Sequence, residues 1–324
     1  MSSMRDYQAP WWLPGGHLQT VWPALVSRPR LARSPGYLRE RWRAPDGDFI
    51  DVDHVPAAAG APWLVLFHGL ESSSTSRYAV AFAQAAHGRG WHFVVPHFRG
   101  CSGELNLAPR SYHSGDFAEI GWVLGRIRES AGAPVLAAGV SLGGNALLRW
   151  AEEAGDTAAP VVRAVAAICA PVDLAAAGAA IDHGLNRLVY ARTFLRSMKP
   201  RALAKWQQFP GLFDRERLDG ARTLHDFDDC FTAPLHGFTS ADDYWRRASA
   251  KPHLNAIRVP ALLLNAGNDP LVPRASLPVR HEVGTHVTLW QPREGGHVGF
   301  AAGRFPGHVH AMPAAVCEWL ATVW

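Results

Sequence analysis

Ser141 lies in Gly139-Val140-Ser141-Leu142-Gly143, a spacing suited to nucleophilic catalysis if the chain turns sharply at the serine. Such a turn presses the −2 and +2 residues against the flanking elements, and Gly139 and Gly143 leave the room it needs. A serine hydroxyl requires a base at neutral pH, and histidine is the usual one. Among sixteen histidines, His297 in Glu294-Gly295-Gly296-His297-Val298-Gly299-Phe300 follows the last apolar β-like run across a glycine-rich loop. A third residue must orient the imidazole and stabilise its charged form. Asp269, directly after Leu262-Leu263-Leu264-Asn265 in Ala266-Gly267-Asn268-Asp269-Pro270, falls between serine and histidine in chain order. Its plain alternative is a turn aspartate before proline. The competing acid, Asp173, reads better as the cap of a helix beginning at Leu174. His68-Gly69-Leu70 ends an earlier apolar run, so the Leu70 N–H and the Leu142 N–H beside the serine are the expected oxyanion donors.

These residues need a scaffold that brings strand ends together. Uncharged Val135-Leu136-Ala137-Ala138 reads as a strand buried on both faces, and Asn145 to Glu153 has helix-forming residues at helical apolar spacing. Similar runs at Trp63 to His68, Trp91 to Pro96, Ala164 to Cys169, Ala261 to Asn265 and His286 to Trp290 alternate with helix-length segments. That rhythm predicts an α/β fold, a mainly parallel sheet with helices on both faces. Leu38 to Ala44 and Phe49 to His54 flank Pro45-Asp46-Gly47-Asp48 and predict an opening hairpin. Between Cys169 and Ala261 the rhythm breaks, with Trp206, Phe209, Phe213, Phe227, Phe231, Phe238 and Tyr244 scattered through the interval. An insertion covering the carboxyl edge of the sheet explains the break. The expected divisions are an amino-terminal extension over 1–37, core over 38–170, cap over 171–250 and core over 251–324.

The chain has 324 residues, 48 % of them hydrophobic, and a formal net charge of +4 without a dense basic run, which argues against nucleic acid as a partner. Four cysteines, Cys101, Cys169, Cys230 and Cys317, are widely separated, a pattern that predicts reduced thiols and a cytoplasmic protein. Met1 to Tyr7 lacks the apolar core of a signal peptide. The longest apolar stretch, Ala164 to Ile181, contains Pro171 and Asp173 and reads as strand, turn and helix start instead of a membrane span. No histidine or cysteine spacing suggests a metal site, and the Arg99-Gly100-Cys101-Ser102-Gly103 loop lacks the phosphate-loop lysine. Trp11, Trp12 and Trp22 present two readings, an interfacial membrane anchor or, preferred, packing against the domain. Oligomeric state is not legible.

The chain closely resembles the YheT-like branch of the α/β-hydrolase superfamily. The resemblance rests on Trp11-Trp12-Leu13-Pro14-Gly15-Gly16-His17-Leu18-Gln19-Thr20, His68-Gly69-Leu70-Glu71-Ser72-Ser73, Phe98-Arg99-Gly100-Cys101-Ser102-Gly103, Tyr112-His113-Ser114-Gly115 and Ser141-Leu142-Gly143-Gly144-Asn145. In the insertion it extends to Phe227-Asp228-Asp229 and Thr232 to Phe238. It implies carboxylic ester hydrolysis on small-molecule or lipid-like esters, with no cofactor, through Ser141, Asp269 and His297. One departure is His97, where relatives commonly carry asparagine. The same triad serves amides and thioesters. A binding or scaffold protein on this fold is the rival of another class, and the presence of all three triad candidates argues against it.

Overall fold

Alternate residues of the central strands are apolar on both sides, and this pattern builds a sheet with a core on each face. The computed structural model describes residues 4–27 and 36–324. Residues 1–3 of the amino-terminal stretch and 28–35 of the expected extension lie outside the described residues. Among the described residues, eight strands run β1 (Leu38–Arg43), β2 (Phe49–Val55), β3 (Trp63–Phe67), β4 (His92–Pro96), β5 (Val135–Val140), β6 (Val162–Ile168), β7 (Ala261–Leu264) and β8 (Val287–Trp290). Their spatial order is β1-β2-β4-β3-β5-β6-β7-β8. β1 and β2 pair antiparallel, as do β2 and β4, and the remaining pairs are parallel. This is the α/β-hydrolase arrangement, including the expected hairpin.

Val65, Phe67, Val135, Ala137, Val165 and Ala167 pack with helices on one face, and Leu64, Leu66, Leu136, Ala138, Ala164 and Ala166 with helices on the other. The period of two thus divides each strand between two cores. The edge strand β1 is blunted by charge: Arg39 and Arg41 stand opposite Asp53 and Asp51 and pair with them at 2.7 Å each, leaving little apolar edge for another strand to join.

Outside the sheet lie α1 (Gly16–Leu25), α2 (Arg77–His87), α3 (Phe117–Ala131) and α4 (Leu142–Ala154). Between β6 and β7 come α5 (Leu174–Ile181), α6 (Gly184–Asn186), α7 (Arg192–Gln208), α8 (Arg215–Gly220), α9 (Leu224–Phe227), α10 (Ala233–Leu235) and α11 (Ala241–Ala248), with π-helical turns at Arg187–Ala191 and Asp228–Thr232. Asp173 caps α5 by accepting from the Ala176 N–H at 3.0 Å, the structural duty expected of it. The chain ends with α12 (Ala311–Ala321). No helix among the described residues is long and apolar enough to cross a membrane. Trp12 and Trp22 pack edge to face, both contact Phe305, and their indole N–H groups donate to the Gly303 and Pro306 carbonyls. They are committed to the domain body, whereas Trp11 is exposed.

Candidate active site

Ser141 ends β5 and opens α4 with φ 53° and ψ −120°, a conformation that L-residues rarely adopt. Small neighbours make it attainable. A Cβ on Gly139 would come within 2.4 Å of the Gly143 carbonyl oxygen, and one on Gly143 within 2.5 Å of the Phe67 and His68 carbonyl oxygens. Both glycines are required where the turn is squeezed between β3 and α4. The serine N–H donates to the Ile168 carbonyl at 2.8 Å, tying the turn to β6.

The other predicted residues converge on this point. His297 Nε2 lies 2.9 Å from Ser141 Oγ, and His297 Nδ1 lies 2.8 Å from Asp269 Oδ2. The second carboxylate oxygen, Oδ1, accepts the Leu271 and Val272 N–H groups at 2.8 and 3.2 Å. Asp269 is thereby held in one orientation, with its side chain fully buried, while 14 % of the His297 side chain remains exposed. Bonded to a carboxylate at Nδ1, the imidazole presents Nε2 as an acceptor toward the hydroxyl, the tautomer needed for proton abstraction.

On the β3 side, the Gly69 N–H donates to Tyr78 Oη at 2.9 Å and the Glu71 N–H to Tyr112 Oη at 3.1 Å. The intervening Leu70 N–H has no protein acceptor among the described residues, and the Leu142 N–H, at the first turn of α4, has no carbonyl within its helix to bond. Fully buried His68 stiffens this loop. Its Nδ1 contacts the Gly69 carbonyl at 2.8 Å and its Nε2 accepts the Phe98 N–H at 3.1 Å. Burial pushes its pKa down to about 3, so the ring is neutral and serves as a strut.

Among the described residues, five that are not glycine have left-handed φ: Glu71, Ser141, Cys169, Val298 and Phe300. They lie just beyond β3, at the end of β5, just beyond β6 and in the stretch directly after His297. Such backbone costs on the order of 1–3 kcal/mol per residue and gathers where a site over-determines the chain. Cys169 Sγ accepts the Val298 N–H at 3.2 Å and sits with Asp269 and His297 in a group whose ligand atoms lie within 4.8 Å of one another. Its pKa is raised well above the ordinary thiol value by burial, and the carboxylate and imidazole bond each other, so this trio fits a hydrogen-bonded cluster better than a metal cage. Burial likewise pushes Cys101 up to about 11, and Arg201 Nη1 donates to its sulfur at 2.9 Å.

Sequence reasoning missed the contribution of α1. Gln19, 1 % exposed, uses Oε1 to accept from Asn268 Nδ2 at 2.8 Å and from the Gly295 N–H at 2.9 Å, while its Nε2 donates to the Leu13 carbonyl. Thr20 Oγ1 accepts the His297 N–H at 2.8 Å. One helix therefore grips both the acid loop and the histidine loop. The close approach demands glycine: a Cβ on Gly16 would stand 1.9 Å from the Asn268 carbonyl oxygen, and one on Gly299 1.8 Å from that of Gln19. The unusual His97 also finds a partner. Its Nε2 lies 2.8 Å from Asp53 Oδ2, within a cluster that includes Arg39 and Ser74.

A cavity of about 130 Å³ opens beside Ser141 and His297 and extends beneath the inserted helices. Phe194, Met198, Phe227, Phe231 and Leu224 line its apolar side. Of the aromatic residues noted in the sequence, Phe227, Phe231 and Tyr244 reach it, whereas Trp206, Phe209, Phe213 and Phe238 do not.

The sheet order, the strained serine turn and the converging strand-end loops define an α/β hydrolase. The chain belongs to that family: the model described as alpha/beta hydrolase fold matches residues 62–303. The chain is 39 % identical over 313 residues to YheT of Escherichia coli (strain K12), a protein named as a candidate esterase, covering 94 % of this chain and 90 % of the relative. It is 28 % identical over 294 residues to phospholipase ABHD3 of Mus musculus, covering 88 % and 70 %. Among solved structures, mouse alpha/beta hydrolase domain-containing protein 10 superposes with a TM-score of 0.57 at 15 % identity, covering 89 % of this chain and all of the other. Est1E from Butyrivibrio proteoclasticus with ferulic acid bound also gives 0.57 at 15 % identity, covering 88 % and 98 %. These structural likenesses concern the fold. With the close relatives, they make the chain a hydrolase of the esterase and lipase type.

Proposed function

We propose that the chain is a carboxylic ester hydrolase working through an acyl-enzyme on Ser141, with His297 as base and acid and Asp269 as its orienting carboxylate. The observation that carries this reading is the continuous relay from Asp269 through His297 to the Ser141 hydroxyl, with Ser141 and His297 lining an apolar cavity. His297 takes the hydroxyl proton as Oγ attacks the ester carbonyl. The Leu70 and Leu142 N–H groups, spared from other bonds, receive the charge that develops on the carbonyl oxygen, assisted by the positive end of α4. As the tetrahedral species collapses, the C–O bond to the alcohol breaks and His297 returns the proton to the leaving alkoxide. Water then attacks the acyl-enzyme with its proton passing to His297, and collapse frees the acid as that proton returns to Ser141 Oγ. No cofactor enters these steps.

The helices between β6 and β7 act as a cap over residues 171–250, whose apolar residues accept the acyl chain. Ester chemistry is favoured over amide or thioester chemistry because the similar proteins carry esterase and phospholipase names. In a chain-length series of nitrophenyl esters, Ser141→Ala should lower kcat/KM by roughly 10⁴-fold or more. A fluorophosphonate should label the unaltered protein at Ser141 alone. Activity surviving in the variant, or a label on another residue, overturns the assignment.

A further inference from the structure

The inserted helices carry a second concavity, and it is basic. Arg187, Arg192, Arg196, Lys199 and Arg222 line a groove of about 500 Å³ with Leu188, and no carboxylate is among its lining residues. The neighbouring acids Asp219 and Asp229 pair elsewhere, with Arg215 and Arg217. Arg187, Arg192, Arg196 and Arg222 are all exposed, and no side-chain ion pair holds any of them among the described residues. On α7, the spacing of Arg192, Arg196 and Lys199 makes a stripe along one face. Phe194, Met198 and Lys205 on the same helix turn into the cavity beside Ser141. One helix thus separates groove from pocket.

Beside the cations, Leu185, Leu188 and Val189 are 59 %, 67 % and 37 % exposed. Their spacing puts them on one side of the turn that leads into α7. Unpaired guanidinium groups next to exposed aliphatic side chains match a surface offering phosphate anions above hydrocarbon. The guanidinium forks bond phosphate oxygens, and the aliphatic groups leave water at the headgroup boundary. A nucleic acid would use the cations but leave the leucines and valine in water, and the patch lacks the aromatic platforms on which bases stack.

We propose that this face of the insertion docks on membranes containing anionic phospholipids. Docking there sets α7 between the lipid surface and the cavity beside Ser141. The binding goes beyond the proposed hydrolysis and can be read without turnover.

The test is flotation of the full chain with vesicles of phosphatidylcholine alone and of phosphatidylcholine mixed with phosphatidylglycerol, at low and high salt. The protein should float only with the mixed vesicles and should be released by salt. Each cation lost from the surface should cost roughly fivefold in partitioning, so Arg187→Glu/Arg192→Glu/Arg196→Glu should abolish flotation. Leu185→Ser/Leu188→Ser should weaken it with every charge on the patch unchanged. Both variants alter exposed residues outside the catalytic relay, so retained circular dichroism and nitrophenyl ester turnover will show that they fold. Ser141→Ala should float like the unaltered chain, which separates this outcome from any failure of the ester assignment. Absence of flotation, flotation indifferent to the arginine replacements, or binding to duplex DNA that ignores the leucine replacements while vesicles are not bound overturns the proposal.

Discussion

Gln19 shows how one residue outside the cavity can tie together the loops that carry Asp269 and His297. Its carboxamide oxygen is shared between Asn268, adjacent to Asp269, and the Gly295 N–H, two residues before His297. Removing it frees both loops without altering a residue of the cavity lining. Gln19→Ala should therefore lower kcat toward a short nitrophenyl ester by roughly ten- to a hundredfold while KM stays within about twofold, because small displacements of reacting groups are expensive. Steady-state kinetics at saturating ester will check this, and an unchanged kcat would show that the loops hold their geometry without α1. No local sequence signal could have revealed the role. Glutamine on a short helix is unremarkable, and its partners lie 249 and 276 residues away. Ser141, Asp269 and His297 were legible because each follows a strand that announces itself by an uncharged apolar run.

At the scale of elements, the strands and the existence of an insertion were readable, and the helices within the insertion were not, for a physical reason. β5 and β7 are buried throughout and β6 everywhere but at Arg163, so their composition is nearly continuous in apolar residues. The inserted helices other than α7 are short, two π-helical turns interrupt them, and the 17-residue α7 carries Pro200 within it, all of which break the 3.6-residue period. Beside apolar contacts such as those of Leu271, a buried polar group fastens the insertion to the core. Asn145, fully buried on α4, donates to the Ser114 and Ala248 carbonyls and accepts the Ala250 N–H. It joins the Tyr112-His113-Ser114-Gly115 loop and the chain leaving α11 to the helix that starts just after Ser141. Asn145→Ala leaves those backbone groups buried and unpaired, and should cost roughly 2–4 kcal/mol of stability. The urea midpoint would report it as a clear decrease. A midpoint within error of the unaltered protein would mean that water replaces the carboxamide.

For the molecule as a whole, acid groups beneath the insertion couple stability to pH. Asp228 faces the cavity, accepts from Thr232 Oγ1 at 2.6 Å and Trp245 Nε1 at 2.8 Å, and is pushed up to about 6 chiefly by burial, against the pull of those two donors. With its folded pKa above the unfolded value of 3.8, the folded state binds more protons between those limits. Stability from this group is therefore greatest below the unfolded pKa and declines as pH rises through about 6. The decline should be about 3 kcal/mol. Asp228→Asn removes this component, so urea midpoints measured from pH 4 to 7 should diverge between variant and unaltered chain. Parallel curves would refute the assignment to Asp228.

The grip of α1 on the loops around Asp269 and His297 also orders events in time. Gln19 and Thr20 leave the ribosome well before Gly295 and His297, which they bond across 276 and 277 residues. Contacts of such sequence separation form late, after the loop-closure entropy of the intervening chain has been met. A nascent chain can fold β3, β5 and the serine turn before His297 is made, so the Ser141 hydroxyl waits through 156 further residues for the imidazole that meets it.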